Sequence, residues 1–179
     1  LSEEKNKINR KVIEETGYNP STQTQKLRTK KTKLVGVILP KIDSNTISRE
    51  VAGISDILTK QGYQLILANT NNSTEEELKY LSLFRDNQVH GVIFIATILT
   101  KQHKDMLKEY RVPIVLLGQH LEGYPCIYQD DYKAAMSITE ELVKSGKKFG
   151  YITVTDKDEA VGRKRLSGVE EVLKKNRIE

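Results

Sequence analysis

Apolar residues in this chain fall into short continuous runs, separated by longer stretches in which they recur every three or four positions. From Leu34 onward the two patterns alternate. The short runs predict strands at 34–39, 64–68, 91–96, 114–117, 126–128 and 150–154, and the spaced stretches predict helices at about 48–61, 74–87, 101–110, 132–145 and 159–176. Runs such as Val35-Gly-Val-Ile-Leu39 and Val92-Ile-Phe-Ile-Ala96 lack polar alternation. That is expected of strands in a parallel sheet covered by helices on both faces, so the fold class is α/β. Ligands in such sheets lie beyond the carboxyl ends of the strands, here 40–45, 69–72, 96–99, 118–120, 129–131 and 155–158.

Ahead of the first strand the pattern differs. Residues 2–16 read as a helix: Ser2 caps it, Glu3 and Glu4 suit the positive end of its dipole, and Ile8, Val12 and Ile13 form a stripe. Gly17 ends it, Tyr18-Asn-Pro-Ser21 turns the chain, and Pro20 opens a short second helix to about Leu27. Between Gln25 and Lys33 there are five cations and no acid. Residues 1–33 hold nine Lys/Arg against four Glu, which accounts for the whole net charge of +5. A basic stretch of this kind suits a nucleic-acid backbone, with about one counterion released per phosphate neutralised. The plainer alternative is a solvated basic linker. Its direct fusion to an apolar strand favours a DNA-binding sensor.

Other features narrow the class. A length of 179 residues predicts one domain or a domain with appendages, and the single Cys126 excludes a disulfide framework. No apolar stretch approaches the ~18–20 residues of a membrane span, and no hydrophobic region follows the opening charges as in a signal peptide. A soluble, cytoplasmic protein is expected, and a first residue other than Met suggests a natural start before Leu1. Glycine-rich nucleotide motifs and the Gly-x-Ser-x-Gly nucleophile motif are missing. His90, His103 and His120 are scattered, with surface or loop roles expected. The adjacent Asp130 and Asp131 diverge in direction, and Asp131 is placed to cap the helix from Tyr132. No catalysis, metal or cofactor is expected.

Six segments in register resemble the LacI family of bacterial transcriptional repressors: Glu14-Glu-Thr-Gly-Tyr-Asn-Pro-Ser21, Lys26 to Pro40, Gly62 to Asn72, Val89-His-Gly-Val-Ile93, Val112 to Leu117, and Asp130-Asp-Tyr-Lys-Ala-Ala135 followed by Arg163-Lys-Arg-Leu-Ser-Gly168. The resemblance implies a periplasmic-binding-protein-like sensor, preceded by the last headpiece helix and a hinge helix. Its implied parts are 1–32 as headpiece remnant and hinge, 33–147 as the first effector-binding subdomain, and 148–179 as the first strand–helix unit of a second. The headpiece's first helices would lie before Leu1, and most of the second subdomain beyond Glu179. Without those neighbours, 149–154 would expose an unpaired apolar strand.

The resemblance also implies sites. In the family, a hinge-helix leucine wedges a minor-groove base step, and Leu27 matches it. Asn19, Ser21, Thr22 and Gln25 are the implied polar contacts, and Arg28 a phosphate contact. Thr22, Thr24 and Gln25 stand where the family usually has alanines and an arginine, which implies hinge contacts that are either weaker or read a different sequence. For the effector, the implied contacts are Lys41, Asp43, Ser44 and Ile47 in the first exit loop, then Gln119, Asp130, Arg163 and Arg165. A trehalose-type repressor is the nearest pattern, with Lys41 and Arg165 suited to a sugar phosphate. Gln119 replaces an expected arginine, which makes a neutral disaccharide an equal expectation. The implied partners are operator DNA, a sugar or sugar-phosphate effector and a second copy of the chain, with no membrane. The competing readings are a sugar receptor of the same fold and a small α/β enzyme or response domain.

Overall fold

The computed structural model describes residues 33–146 and 148–178. The expected helices at 2–16 and 20–27, and every implied DNA contact from Asn19 to Arg28, lie outside them.

Five strands form one parallel sheet: β1 (Leu34–Leu39), β2 (Gln64–Asn69), β3 (Gly91–Ile95), β4 (Ile114–Leu117) and β5 (Cys126–Ile127). Their order is β2-β1-β3-β4-β5. Val37 pairs with Leu67 on one side and Ile93 on the other, and Phe94 with Leu116. Between the strands run α1 (Asn45–Lys60), α2 (Thr74–Asp86) and α3 (Lys101–Lys108), with α4 (Asp131–Leu142) after β5. A π-helical turn at Glu159–Lys164 then leads into α5 (Arg165–Lys175).

Period-two alternation sends each strand's apolar side chains to two cores. Ile38, Val92, Phe94, Ile114 and Leu116 meet Leu81 and Phe84 of α2 and Leu107 of α3 on one face. Val37, Leu39 and Ile95 meet Ile47, Val51 and Ile54 of α1 on the other. The spacing 47, 51, 54 is one helical stripe, as is 77, 81, 84 on α2. Gly36 is required by this packing, because an added Cβ would overlap the Phe84 ring.

Three expectations need correction. The run at 150–154 is not a strand: among the described residues it has no strand neighbour, and Ile152 is 99% exposed. The helix expected at 159–176 begins with a π turn, since Arg163 N–H reaches back five residues to Asp158 O at 3.0 Å. His103, expected at a surface or loop, is wholly buried on α3. The remaining helices and strands match their expected positions within three residues; α1 starts early because Ser44, in extended backbone, opens it ahead of the apolar stripe.

Candidate functional site

The chain leaves β1 toward β2 on one side and returns to β3 on the other, so the connections part at the carboxyl ends of β1 and β3. In open α/β sheets that switch point is where ligands bind. The β1 exit loop supplies Lys41 and Asp43, both exposed, with Nζ and Oδ2 3.6 Å apart. Ser44 is the N-cap of α1, yet its side chain makes no capping bond, and the first turn of α1 holds no acid. The loop therefore offers a hydroxyl, a cation, a carboxylate and the positive end of a helix dipole. Ile42 N–H donates to Asn69 Oδ1 at 3.2 Å, and Asn69 Nδ2 donates to Asn71 Oδ1 at 2.9 Å, which ties the β1 and β2 exits together.

Further along the same edge, Gly118 takes a left-handed φ of +84°, and the next residue, Gln119, turns inward. Gln119 Nε2 donates to Thr97 O at 2.7 Å and to Asp158 Oδ1 at 2.8 Å. The same Asp158 oxygen accepts from Ala160 N–H and Val161 N–H, opening the π turn. Gly162 lets that turn press against Thr155, whose carbonyl would collide with any Cβ there. One buried amide thus joins the β3 exit, the β4 exit and the π turn.

Past β5, Asp130 caps α4: Oδ1 accepts from Lys133 N–H at 3.1 Å, and Oδ2 lies 3.3 Å from Lys133 Nζ. Chiefly through that backbone hydrogen bond, its carboxyl is held below the usual aspartate range. Asp131, expected as the cap, is instead the first helical residue; it is buried and its Oδ1 accepts from Arg165 Nε at 2.6 Å. Tyr132 and Glu171 add a second polar link between α4 and α5. Above them Tyr128 packs against His120, with ring centroids 5.2 Å apart, and Lys164 Nζ lies 5.7 Å over the Tyr128 ring.

The family model described as periplasmic binding proteins and the sugar binding domain of the LacI family matches residues 32–178. The chain belongs to this family. It is 30% identical over 159 residues to the sucrose operon repressor of Staphylococcus xylosus, covering 88% of this chain and 50% of that protein. It is 32% identical over 180 residues to catabolite control protein A of Staphylococcus aureus, covering 99% of this chain and 54% of that protein. The crystal structure of the transcription regulator CcpA of Lactococcus lactis superposes with a TM-score of 0.74 at 36% identity, over 82% of this chain and 55% of that one. The chain spans about half the length of the curated relatives it matches.

Against this LacI-family frame, the implied effector residues divide. Lys41, Asp43 and Ser44 stand together on one loop at the switch point. Ile47 is half-buried in α1 against the Val37–Leu39 core, so it braces that loop from beneath. Both donor hydrogens of Gln119 are engaged by Thr97 and Asp158, so it holds neighbouring loops together. Asp130 is a helix cap, Arg163 pairs with Glu159 at 3.3 Å, and Arg165 is held by Asp131. Sequence reasoning missed the roles of Asp158 and of the buried pair of Glu77 and His103. Asp158 carried a usable signal, an acid just ahead of a helical pattern. The others depend on contacts between distant residues and had none.

Proposed function

We propose that this chain is the sensor and hinge portion of a sugar-responsive transcriptional regulator. It acts in the cytoplasm as a repressor, binds operator DNA as a homodimer, and is released by a disaccharide or sugar-phosphate effector. The observation that carries this reading is the match of 32–178 to the LacI-family sugar binding domain. The Lys41–Ser44 loop at the switch point and a relative named as a sucrose operon repressor support it. Residues 1–32 would hold the hinge and the end of the headpiece, with Leu27 as the groove wedge and Asn19, Ser21, Thr22, Gln25 and Arg28 around it. Residues 33–147 would form the first lobe and 148–179 the first unit of the second. Lys41, Asp43 and Ser44 would touch the effector directly. Arg165 would do so by exchanging Asp131 for a ligand oxygen.

Release then follows from linkage. An effector that favours the lobe arrangement poor in DNA binding weakens the operator complex, and operator DNA weakens effector binding by the same factor. A sugar receptor of the same fold is the second reading. The basic stretch from Lys26 to Lys33 favours the regulator, because a receptor needs no phosphate-seeking arm.

The test is thermal melting of the full gene product against trehalose, sucrose, maltose and their 6-phosphates. The same protein is then assayed for retardation of DNA from upstream of its own gene. A true effector at 100 times its Kd adds about 2.7 kcal/mol of stability, shifts the melt by several degrees and reverses the retardation. A cooperative melt indifferent to every sugar overturns the carbohydrate reading. Sugar stabilisation without any retardation points to the receptor instead.

A further inference from the structure

Glu77 is 0% exposed on the core face of α2, and His103 is 0% exposed on α3. His103 Nε2 lies 3.2 Å from Glu77 Oε2, but the alignment is not that of a hydrogen bond. Among the described residues neither Glu77 oxygen has a hydrogen-bond partner. A carboxylate taken wholly out of water is penalised by several kcal/mol unless a partner offsets it, so this pair needs a reason to exist. Hydrophobic residues of similar volume would pack the same space without that penalty.

The other side of the imidazole supplies the reason. Nδ1 lies 2.7 Å from Thr100 Oγ1 and accepts from Thr100 N–H at 3.3 Å, while His103 N–H donates to Thr100 Oγ1 at 3.3 Å. A backbone N–H pointing into Nδ1 places the ring proton on Nε2, the nitrogen that faces Glu77. The ring itself is fixed by stacking on Phe94, centroids 5.8 Å apart and planes 23° apart. Thr100 is the last residue of the β3 exit loop. Glu77 N–H donates to Ser73 O in the first turn of α2, and Ser73 closes the β2 exit loop. One imidazole therefore links the N-terminal end of α3 to the first turn of α2, the two helices that follow the β3 and β2 exit loops on either side of the β1 exit that carries Lys41, Asp43 and Ser44.

We propose that Glu77 and His103 are positioning residues: the buried pair fixes the β2 and β3 exit loops relative to each other and so sets the width of the crevice at the switch point. That these loops face a sugar rests on the proposed function; that the pair orders them does not.

Two substitutions separate the ends of the clamp. In His103→Gln the side-chain amide still reaches toward Glu77 but gives Thr100 no ring acceptor. In His103→Asn the carbonyl still serves Thr100 but nothing reaches Glu77. Amide hydrogen exchange of the full gene product reads the result without any ligand. His103→Gln should raise exchange at Thr100, whose N–H loses its acceptor, about tenfold beyond any change at Val37 and Phe94. His103→Asn should spare Thr100 and instead raise exchange at Thr70, Asn72 and Ser73 by a similar factor. Should either variant fail to fold, Thr100→Val, which removes the hydroxyl that Nδ1 meets, provides the same reading at His103. A rise that is uniform across loops and strands overturns the proposal, since it reports loss of stability alone. So does an unchanged exchange pattern.

Discussion

Residues 92–96 and 150–154 are written in much the same β-forming residues, Val-Ile-Phe-Ile-Ala and Gly-Tyr-Ile-Thr-Val, and they meet opposite fates. The first lies between β1 and β4 with Phe94 fully buried, its backbone paired on both sides. The second pairs with no strand among the described residues; Ile152 and Val154 face solvent, and Tyr151, also exposed, lines a cavity of about 250 Å³ with Ile138, Leu142, Phe149 and Leu173. A strand is a relation between segments. Apolar, β-branched text supplies a surface that fits a sheet, but the hydrogen bonds and buried area come from neighbours.

Substitutions at the centre of each segment should separate them most widely. Phe94→Ala in the 179-residue chain removes a ring from a filled core and should lower stability by about 3–5 kcal/mol. Ile152→Ala should change it by less than about 0.5 kcal/mol, because the side chain leaves water no more in the native state than in the unfolded one. Urea midpoints at constant m-value read both. A loss above about 1 kcal/mol for Ile152→Ala would mean that the segment is packed in solution, and the contrast would fail.

The same contrast explains what could be read in advance. The five strands and their helices were legible because each carries its own period and its own punctuation, such as Lys60-Gln-Gly62 at the end of α1. The run at 150–154 carries the local pattern of a strand, but pairing is not local, and it stands exposed and unpaired as expected of a strand without its neighbours. The placement of Lys41, Asp43 and Ser44 on one loop was legible because a short loop keeps sequence neighbours together in space. The contacts of Gln119, Arg165 and His103 were not, since their partners Asp158, Asp131 and Glu77 lie at least 26 residues away in the chain. Choosing between Asp130 and Asp131 as the cap turned on a single residue of helix phase, finer than composition resolves.

Tyr110 sharpens the comparison with a group that has a partner in the core. Its hydroxyl donates to Leu81 O at 2.9 Å, and burial pushes its pKa up from 10.0 to about 12. The unfolded chain therefore loses this proton first. Stability contributed by Tyr110 is intact below pH 10 and falls as pH rises from 10 to about 12. The loss is roughly 1–2 kcal/mol after allowance for the partly exposed ring. Tyr110→Phe should remove that part of the decline, and the difference in absorbance titration between the two proteins should show a single phenol with a midpoint near 12. A difference midpoint near 10 would place the ring in water.

The smallest effect distinguishes two serines that open neighbouring helices. Ser73 accepts from Glu76 N–H at 3.2 Å and caps α2, whereas Ser44 opens α1 without a side-chain bond. Ser73→Ala should cost about 1 kcal/mol, as loss of a cap does, and Ser44→Ala only a few tenths. The two hydroxyls thus divide between holding the fold and standing free at the switch point. If Ser44→Ala leaves the urea midpoint in place while reducing the thermal shift given by an effective sugar, the free hydroxyl is a ligand group. If it destabilises as much as Ser73→Ala, Ser44 caps α1 in solution, and the crevice loses one of the three polar groups proposed to touch the effector.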